Sequence, residues 1–451
     1  MQSVFTNVGR SVSLKVVFIA ALILVMLIPV SMIKGVIHDR TAVSNEAQQD
    51  VMRSWGYEQL IAAPIFVLPY SVTIERERGG RLERATRIYK AYVLPRQLEV
   101  DVDLRPDTRY RGIHEITVYS ASLKISGSFD RPTMARLPDN VESVMWEDAY
   151  IALAVSDPRA IVRTPEILFA GKSTSFESNG ATVDGLPSQI IAKTGNPFGS
   201  ASAAFNLELH LNGTGGLKLL PLGDTTTVSM DSSWPSPSFS GSYLPKSRTV
   251  TETGFSATWQ ISSLGRSLPG IWREGTIDVN LARQSAFGVQ LFKPVGLYQL
   301  SLRATKYAVL FIGLTFVAYF LFEVISGLRL HPLQYLLVGF ANTLFYLLLL
   351  SLAEHVPFGL AYLLGAIAST ALISAYSLAV LELRARALLM AIVLTLLYGF
   401  LYMTLKAETY AMLAGSIGLW VALAVVMYLT RRVDWYSRNG SEPDESTGLK
   451  E

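Results

Sequence analysis

The residues able to do chemistry are few and scattered. The histidines are His38, His114, His210, His331 and His355. A zinc helix of the H-E-x-x-H type needs two imidazoles one turn apart. His114-Glu115 has no second histidine, and its alternating neighbours place it on a strand. Neither a G-x-x-x-x-G-K-[ST] phosphate loop nor a G-x-S-x-G nucleophile elbow occurs in the chain. There is no cysteine, which excludes disulfides, thiolate metal sites and thiol nucleophiles. No catalytic, cofactor-binding or metal-binding residue is assigned, and no cofactor is expected.

One constellation imitates penicillin-recognising enzymes. Ser31-Met32-Ile33-Lys34 matches S-x-x-K and Lys193-Thr194-Gly195 matches K-T-G, but the S-D-N element between them is missing. A catalytic S-x-x-K opens a helix inside a protein cleft, whereas this one ends a lipid-facing apolar segment. Lys34 there has a sufficient role in snorkelling to the headgroups. The positions left as functional or coupling candidates are Glu323, His331, Gln334, Asn342, Glu354 and His355. A polar group at membrane depth is a functional candidate by default. Glu323 also has an interfacial reading, facing the headgroup zone or paired with Arg329. Asn342 has a structural one, an amide bonding a neighbouring helix. Glu354 and His355 are expected to be polar contacts between a membrane bundle and an outer domain.

The elements that position these residues follow from hydropathy. The chain has 451 residues, 50% hydrophobic and 17% charged, with a net charge of +3. That is too apolar for an ordinary soluble protein and too polar for a pure membrane bundle. The basic residues flank apolar segments rather than interleaving with aromatics, so nucleic-acid binding is not expected. A bilayer core needs roughly 20 apolar residues of helix. Six stretches qualify: Val16 to Ile33, Tyr307 to Ile325, Pro332 to Leu352, Phe358 to Leu381, Ala387 to Leu405 and Tyr410 to Thr430. The first is read as an uncleaved anchor, because its apolar run is long and no clean small-x-small site follows it. Arg10, Lys15, Arg329, Arg384, Arg386, Arg431, Arg432 and Arg438 fall on one side of the resulting topology. That bias puts both termini in the cytoplasm.

Between anchor and bundle the period changes to two. Ile113 to Tyr119 alternates, as does Phe205 to Leu211, the latter ended by Asn212-Gly213. Turn signals recur at Gly79-Gly80, Arg105-Pro106-Asp107, Asp130-Arg131-Pro132 and Gly213 to Gly216. A polar helix from about Thr41 to Ile61 reads as a stalk. The expected fold is a membrane α-helical bundle of six transmembrane helices, one plus five, with a large periplasmic mainly-β sandwich-like domain. Its parts are an anchor over 1–34, the β-rich domain with its initial stalk over 35–305, a five-helix bundle over 306–431 and a cytoplasmic tail over 432–451.

Several strings in this sequence resemble a known family. They include Lys306-Tyr307-Ala308, Phe322-Glu323, His331-Pro332-Leu333-Gln334-Tyr335, Leu352-Ala353-Glu354-His355, Leu397-Tyr398-Gly399 and Asp434-Trp435-Tyr436, with Trp55-Gly56, Leu94-Pro95 and Arg111-Gly112-Ile113 upstream. Together they are similar to the CreD-type inner-membrane proteins. The chain departs from that pattern locally at Ala63-Pro64 and Glu408-Thr409-Tyr410. The resemblance implies a cell-envelope integrity protein, linked to β-lactam-responsive two-component regulation and colicin tolerance, with no catalytic residues to carry over. The expected action is binding rather than catalysis, with membrane lipids and periplasmic envelope proteins or glycans as partners. The alternative is a transporter or flippase-like protein moving a lipid or small solute through the bundle.

Overall fold

The computed structural model describes residues 12–78, 81–133, 137, 141–178, 183, 185–266, 268–278, 280–291, 296–326, 330–381, 383–407 and 410–431. Arg10, Arg329, Glu408, the Gly79-Gly80 turn and the tail 432–451 with Arg432 and Arg438 lie outside them. The chain divides into two compact units, Met1–Val43 with Val295–Glu451 and Ser44–Pro294.

Helix α1 spans Val12–Trp55. The expected anchor and stalk are therefore one uninterrupted helix, and the stalk ends at Trp55 rather than Ile61. Gly35, between the two, lies within the helix and is not among the positive-φ glycines. The helix stops where Gly56 takes φ 132°, a backbone conformation that glycine adopts readily. A Cβ there would sit 2.8 Å from the Ala160 Cβ. From Gln59 the chain is a strand, with Gln59 paired to Leu217.

In chain order the strands are β1 (Gln59–Arg78), β2 (Arg81–Val93), β3 (Gln97–Arg111), β4 (His114–Asp130), β5 (Val141–Val144), β6 (Tyr150–Val155), β7 (Glu166–Phe169), β8 (Lys172–Ser175) and β9 (Gln189–Lys193). They continue as β10 (Ser202–Thr214), β11 (Gly216–Leu220), β12 (Thr225–Ser232), β13 (Pro237–Gly241), β14 (Ser247–Thr251), β15 (Gly254–Ser262), β16 (Ile271–Arg273) and β17 (Phe287–Leu291). The described strands build two sheets. A nine-stranded sheet runs β13-β17-β11-β1-β2-β16 with β5, β6 and β9 attached, and an eight-stranded sheet runs β14-β15-β12-β3-β4-β10-β7-β8.

The alternation read from the sequence is present, but two strands run through residues expected to turn. Pro106 lies inside β3, opposite Tyr119 of β4. A proline survives there because β12 covers the other side of β3 only from Gln97 to Leu104, so at position 106 that side is a free edge. Gly213 lies inside β10, also opposite Tyr119. It is small for a packing reason, since a Cβ would fall 2.3 Å from the Tyr119 Oη. Tyr119 is fully buried and its hydroxyl donates to the Gly216 carbonyl at 2.7 Å. Burial raises its phenol above the usual range. The β3–β4 turn itself is at Gly112, with φ 60°.

The two sheets share one core, as layered sheets must when no disulfide helps. Phe66 of β1 meets Phe129 of β4 at 6.1 Å and Phe169 of β7 at 6.0 Å between ring centroids. Trp259 of β15 meets Phe287 of β17 at 5.6 Å. Each of these contacts joins one sheet to the other.

A short helix α2 (Asn280–Gln284) precedes β17. The membrane unit then holds α3 (Leu297–Lys306), α4 (Ala308–Ser326), α5 (Pro332–Ala353), α6 (Phe358–Val380), α7 (Arg384–Lys406) and α8 (Ala411–Thr430). Among the described residues six helices are long and apolar enough to cross a membrane, α1 and α4 through α8. The first of them packs within the bundle. Met26 of α1 is fully buried, and a Cβ on Gly339 of α5 would lie 2.8 Å from its sulfur and 2.9 Å from the Phe316 ring. That glycine lets three helices meet closely, the role small residues play between membrane helices.

Candidate functional site

In the membrane unit, Glu323 sits on the last turn of α4 and is buried. Its carboxylate accepts from the Lys15 ammonium of α1, from the Tyr335 hydroxyl of α5 at 2.9 Å and from the Leu330 amide at 3.1 Å. The sequence suggested Arg329 as partner, a residue outside the described set; the ion pair in the structure is with Lys15. A lone carboxylate in hydrocarbon is costly, and a cation with two further donors offsets that cost.

A second polar cluster involves Arg40, further along α1. Glu354 follows α5 and accepts from the Tyr298 hydroxyl of α3 at 3.2 Å, with the Arg40 guanidinium at 3.6 Å. Burial and the Glu354 charge push the Tyr298 phenol up to about 12. All of these partners belong to the membrane unit. His355 turns its Nδ1 to the Ser351 carbonyl at 3.1 Å. Lys15 and Arg40 are separated by roughly 38 Å of helix, so the two clusters bracket a hydrocarbon layer of about 30 Å. Sequence reading missed Lys15, Arg40, Tyr298 and Tyr335 as partners, because only packing brings charges on helix ends together.

His331 and Gln334 form a capping box at the start of α5. The His331 ring accepts from the Leu333 amide at 3.2 Å, and the Gln334 side chain accepts from the His331 amide at 2.9 Å. With Pro332 in the first turn, the string that carried the family resemblance is a helix start. Asn342 is different. It is fully buried in α5, and among the described residues neither its amide nitrogen nor its oxygen has a hydrogen-bond partner. Tyr346, one turn further on, is buried with its hydroxyl in the same condition. Tyr335, Tyr346, Tyr362 and Tyr398 are all buried in the bundle core.

Ser31 and Lys34 lie inside α1, and Lys193 ends β9 in the other unit. Thr194 is buried and donates to the Ala149 carbonyl at 3.3 Å. The penicillin-like strings are thus a mid-helix segment and a strand end. Among the described residues no group of three or more His, Asp or Glu is placed to hold a metal.

Two open grooves of the β domain gather charged side chains. One of about 1080 Å³ is lined by Tyr57, Asp157, Arg159, Arg163 and Phe176 among others. Arg159 grips Asp157 through two hydrogen bonds of 2.9 and 3.1 Å, and this holds the Asp157 carboxyl below the usual carboxylate range. The second, of about 940 Å³, lies on the outward face of the eight-stranded sheet over β12, β3, β4 and β10. Cross-strand register puts Asp103, Ser122 and His210 in one row, Asp101, Lys124 and Glu208 in the next, and Arg105, Ser120 and Asn212 in a third. The intervening Val102, Leu104, Leu123, Leu209 and Leu211 face the core. The signal for this groove was the polar half of each alternating strand, which by itself reads only as a solvated face.

Six apolar helices, with α1, α4 and α5 joined by buried polar contacts, together with a two-sheet domain define a polytopic membrane protein with a large β-rich part. The family model for the inner membrane protein CreD matches residues 11–436. The inner membrane protein CreD of Escherichia coli (strain K12) is 33% identical over 417 residues, with 92% of each chain covered. The chain belongs to the CreD inner-membrane protein family.

Proposed function

We propose that this chain maintains envelope integrity by binding, with the β domain in the periplasm and both termini in the cytoplasm. The observation that supports it most is how the β domain uses its charged groups. They line two open grooves, yet they are satisfied against each other, as in Asp157 with Arg159 and Asp103 with Arg105, rather than set out as nucleophile and base. Cells lacking the chain should show altered envelope permeability or antibiotic response, restored by the wild-type chain. Unaltered permeability and drug response in those cells would count against the proposal.

The orientation is supported by the positive-inside bias and by the Lys15–Glu323 pair, which puts the start of α1 and the end of α4 at one membrane face. Alkaline phosphatase inserted at the Gly112 turn should be active and the same enzyme fused after Arg431 silent. The reverse pattern would invert the topology.

A second reading, movement of a lipid or solute through the bundle, is favoured by Asn342 and Tyr346. Unpaired polar groups in hydrocarbon cost several kcal/mol each, so a polar guest would relieve them. In the complementation experiment Asn342→Leu should restore the wild-type phenotype if the chain acts by binding alone. Failure to restore it, at normal membrane abundance, would put the second reading ahead.

A further inference from the structure

We propose that the groove on the eight-stranded sheet binds an uncharged glycan strand, an inference that rests on the envelope-binding reading and names its ligand class. The groove is a trough built by side-chain size. Its floor on β4 is Ser120 and Ser122, and its walls are the longer side chains of β3 and β10, Asp103 and Arg105 on one side, Glu208, His210 and Asn212 on the other. Two strand spacings put the walls about 10 Å apart, and the floor from Ser120 to Lys124 is about 14 Å long. That takes a single chain of rings, about two units long.

The ends of the trough differ in character. Lys124 closes one, lying between Asp101 and Glu208 in register. Trp55 stands at the other, its indole N–H donating to the Tyr119 carbonyl at 3.1 Å and its ring held under the Arg109 guanidinium at 4.6 Å. A fixed, partly exposed indole beside converging polar groups suits a ligand with an apolar C–H face and hydroxyls at its rim.

Charge and backbone geometry select among ligands. Asp101, Asp103, Glu208 and Asp231 are nearly balanced by Arg105, Lys124 and Arg163, and several are already paired: Arg105 with Asp103 at 2.6 Å, and Arg163 donating to the His210 Nε2. A polyanion or a polycation gains little from such a surface. A peptide adding as a strand needs a free sheet edge, and the floor strand β4 is hydrogen-bonded on both sides, to β3 and β10. Hydroxyls donate and accept, so a saccharide can meet carboxylate, guanidinium and serine in turn.

The test uses the full chain in detergent, titrated calorimetrically with an N-acetylglucosamine tetramer, cellotetraose and a zwitterionic peptide of similar length. At least one oligosaccharide should bind, and Ser122→Trp, which fills the floor, should weaken it by about tenfold or more. His210→Ala and Asn212→Ala should each weaken it several-fold with an unchanged melting temperature. The proposal is overturned if neither oligosaccharide binds, if binding is indifferent to all three substitutions, or if only the peptide binds. Failure of the wild-type chain to complement the deletion would instead strike the envelope-binding reading. A complementing chain that binds no glycan would remove this inference alone.

Discussion

Glu323→Ala is expected to destabilise the membrane unit by about 3–5 kcal/mol, the range for a buried ion pair that loses one partner. The substitution strips three donors of their acceptor: the Lys15 ammonium, the Tyr335 hydroxyl and the Leu330 amide. Lys15 has only 18% of its side chain exposed, so it cannot turn freely to water. Because these donors come from α1, from α5 and from the segment before α5, the loss should loosen the first helix from the bundle. The check is thermal unfolding in detergent together with protease access to the start of α1. Removing both charges should be milder than removing one, since replacing a buried pair with apolar groups is often near neutral. The double variant Lys15→Met with Glu323→Met should therefore recover much of the loss. If Glu323→Ala melts like the wild type, the cluster contributes nothing to packing.

Phe66→Ala is expected to cost the β domain about 3–5 kcal/mol, as for other buried aromatic truncations. Phe66 is fully buried in β1 and its ring touches Phe129 and Phe169 of the opposite sheet and Phe198 at 5.4 Å. The cavity would open where the two layers are joined, in a domain with no covalent cross-link to limit the damage. Limited proteolysis of the full chain should show faster cleavage within 59–291. Phe66→Leu should lose less, because it leaves a smaller void, and Ile88→Ala should change little, since Ile88 is 62% exposed. Equal protease resistance for Phe66→Ala and Ile88→Ala would contradict a shared inter-sheet core at this point.

The candidate site was legible to very different degrees. Asn342 and Glu323 drew notice because polar groups are rare in apolar helices, and both are buried. What surrounds each was not legible. Glu323 is ion-paired with a lysine 308 positions away, while the Asn342 amide meets no hydrogen-bond partner among the described residues. His331 and Gln334 turned out to satisfy backbone groups at a helix start, a local geometry that their spacing of three residues already encoded. The trough gave no such hint, because its rows join the β3–β4 hairpin to β10 and β12, strands distant from it in sequence.

By itself the sequence determined the membrane helices, since a length of about 20 apolar residues is required by the bilayer whatever the neighbours are. It also determined the two-layer β domain, because period-two alternation leaves each strand one apolar face to cover. Tertiary structure alone decided that α1 is continuous through Trp55 and packed into the bundle through Gly339, that Pro106 and Gly213 lie within strands, and that Lys15 neutralises Glu323. Apart from the helix's continuity, each of these depends on which residues far apart in the chain lie alongside or leave a side open. A proline is acceptable where an edge is free, a glycine is needed where a tyrosine ring lies, and a buried charge is tolerated where its counter-ion arrives, conditions that only the packed neighbours supply.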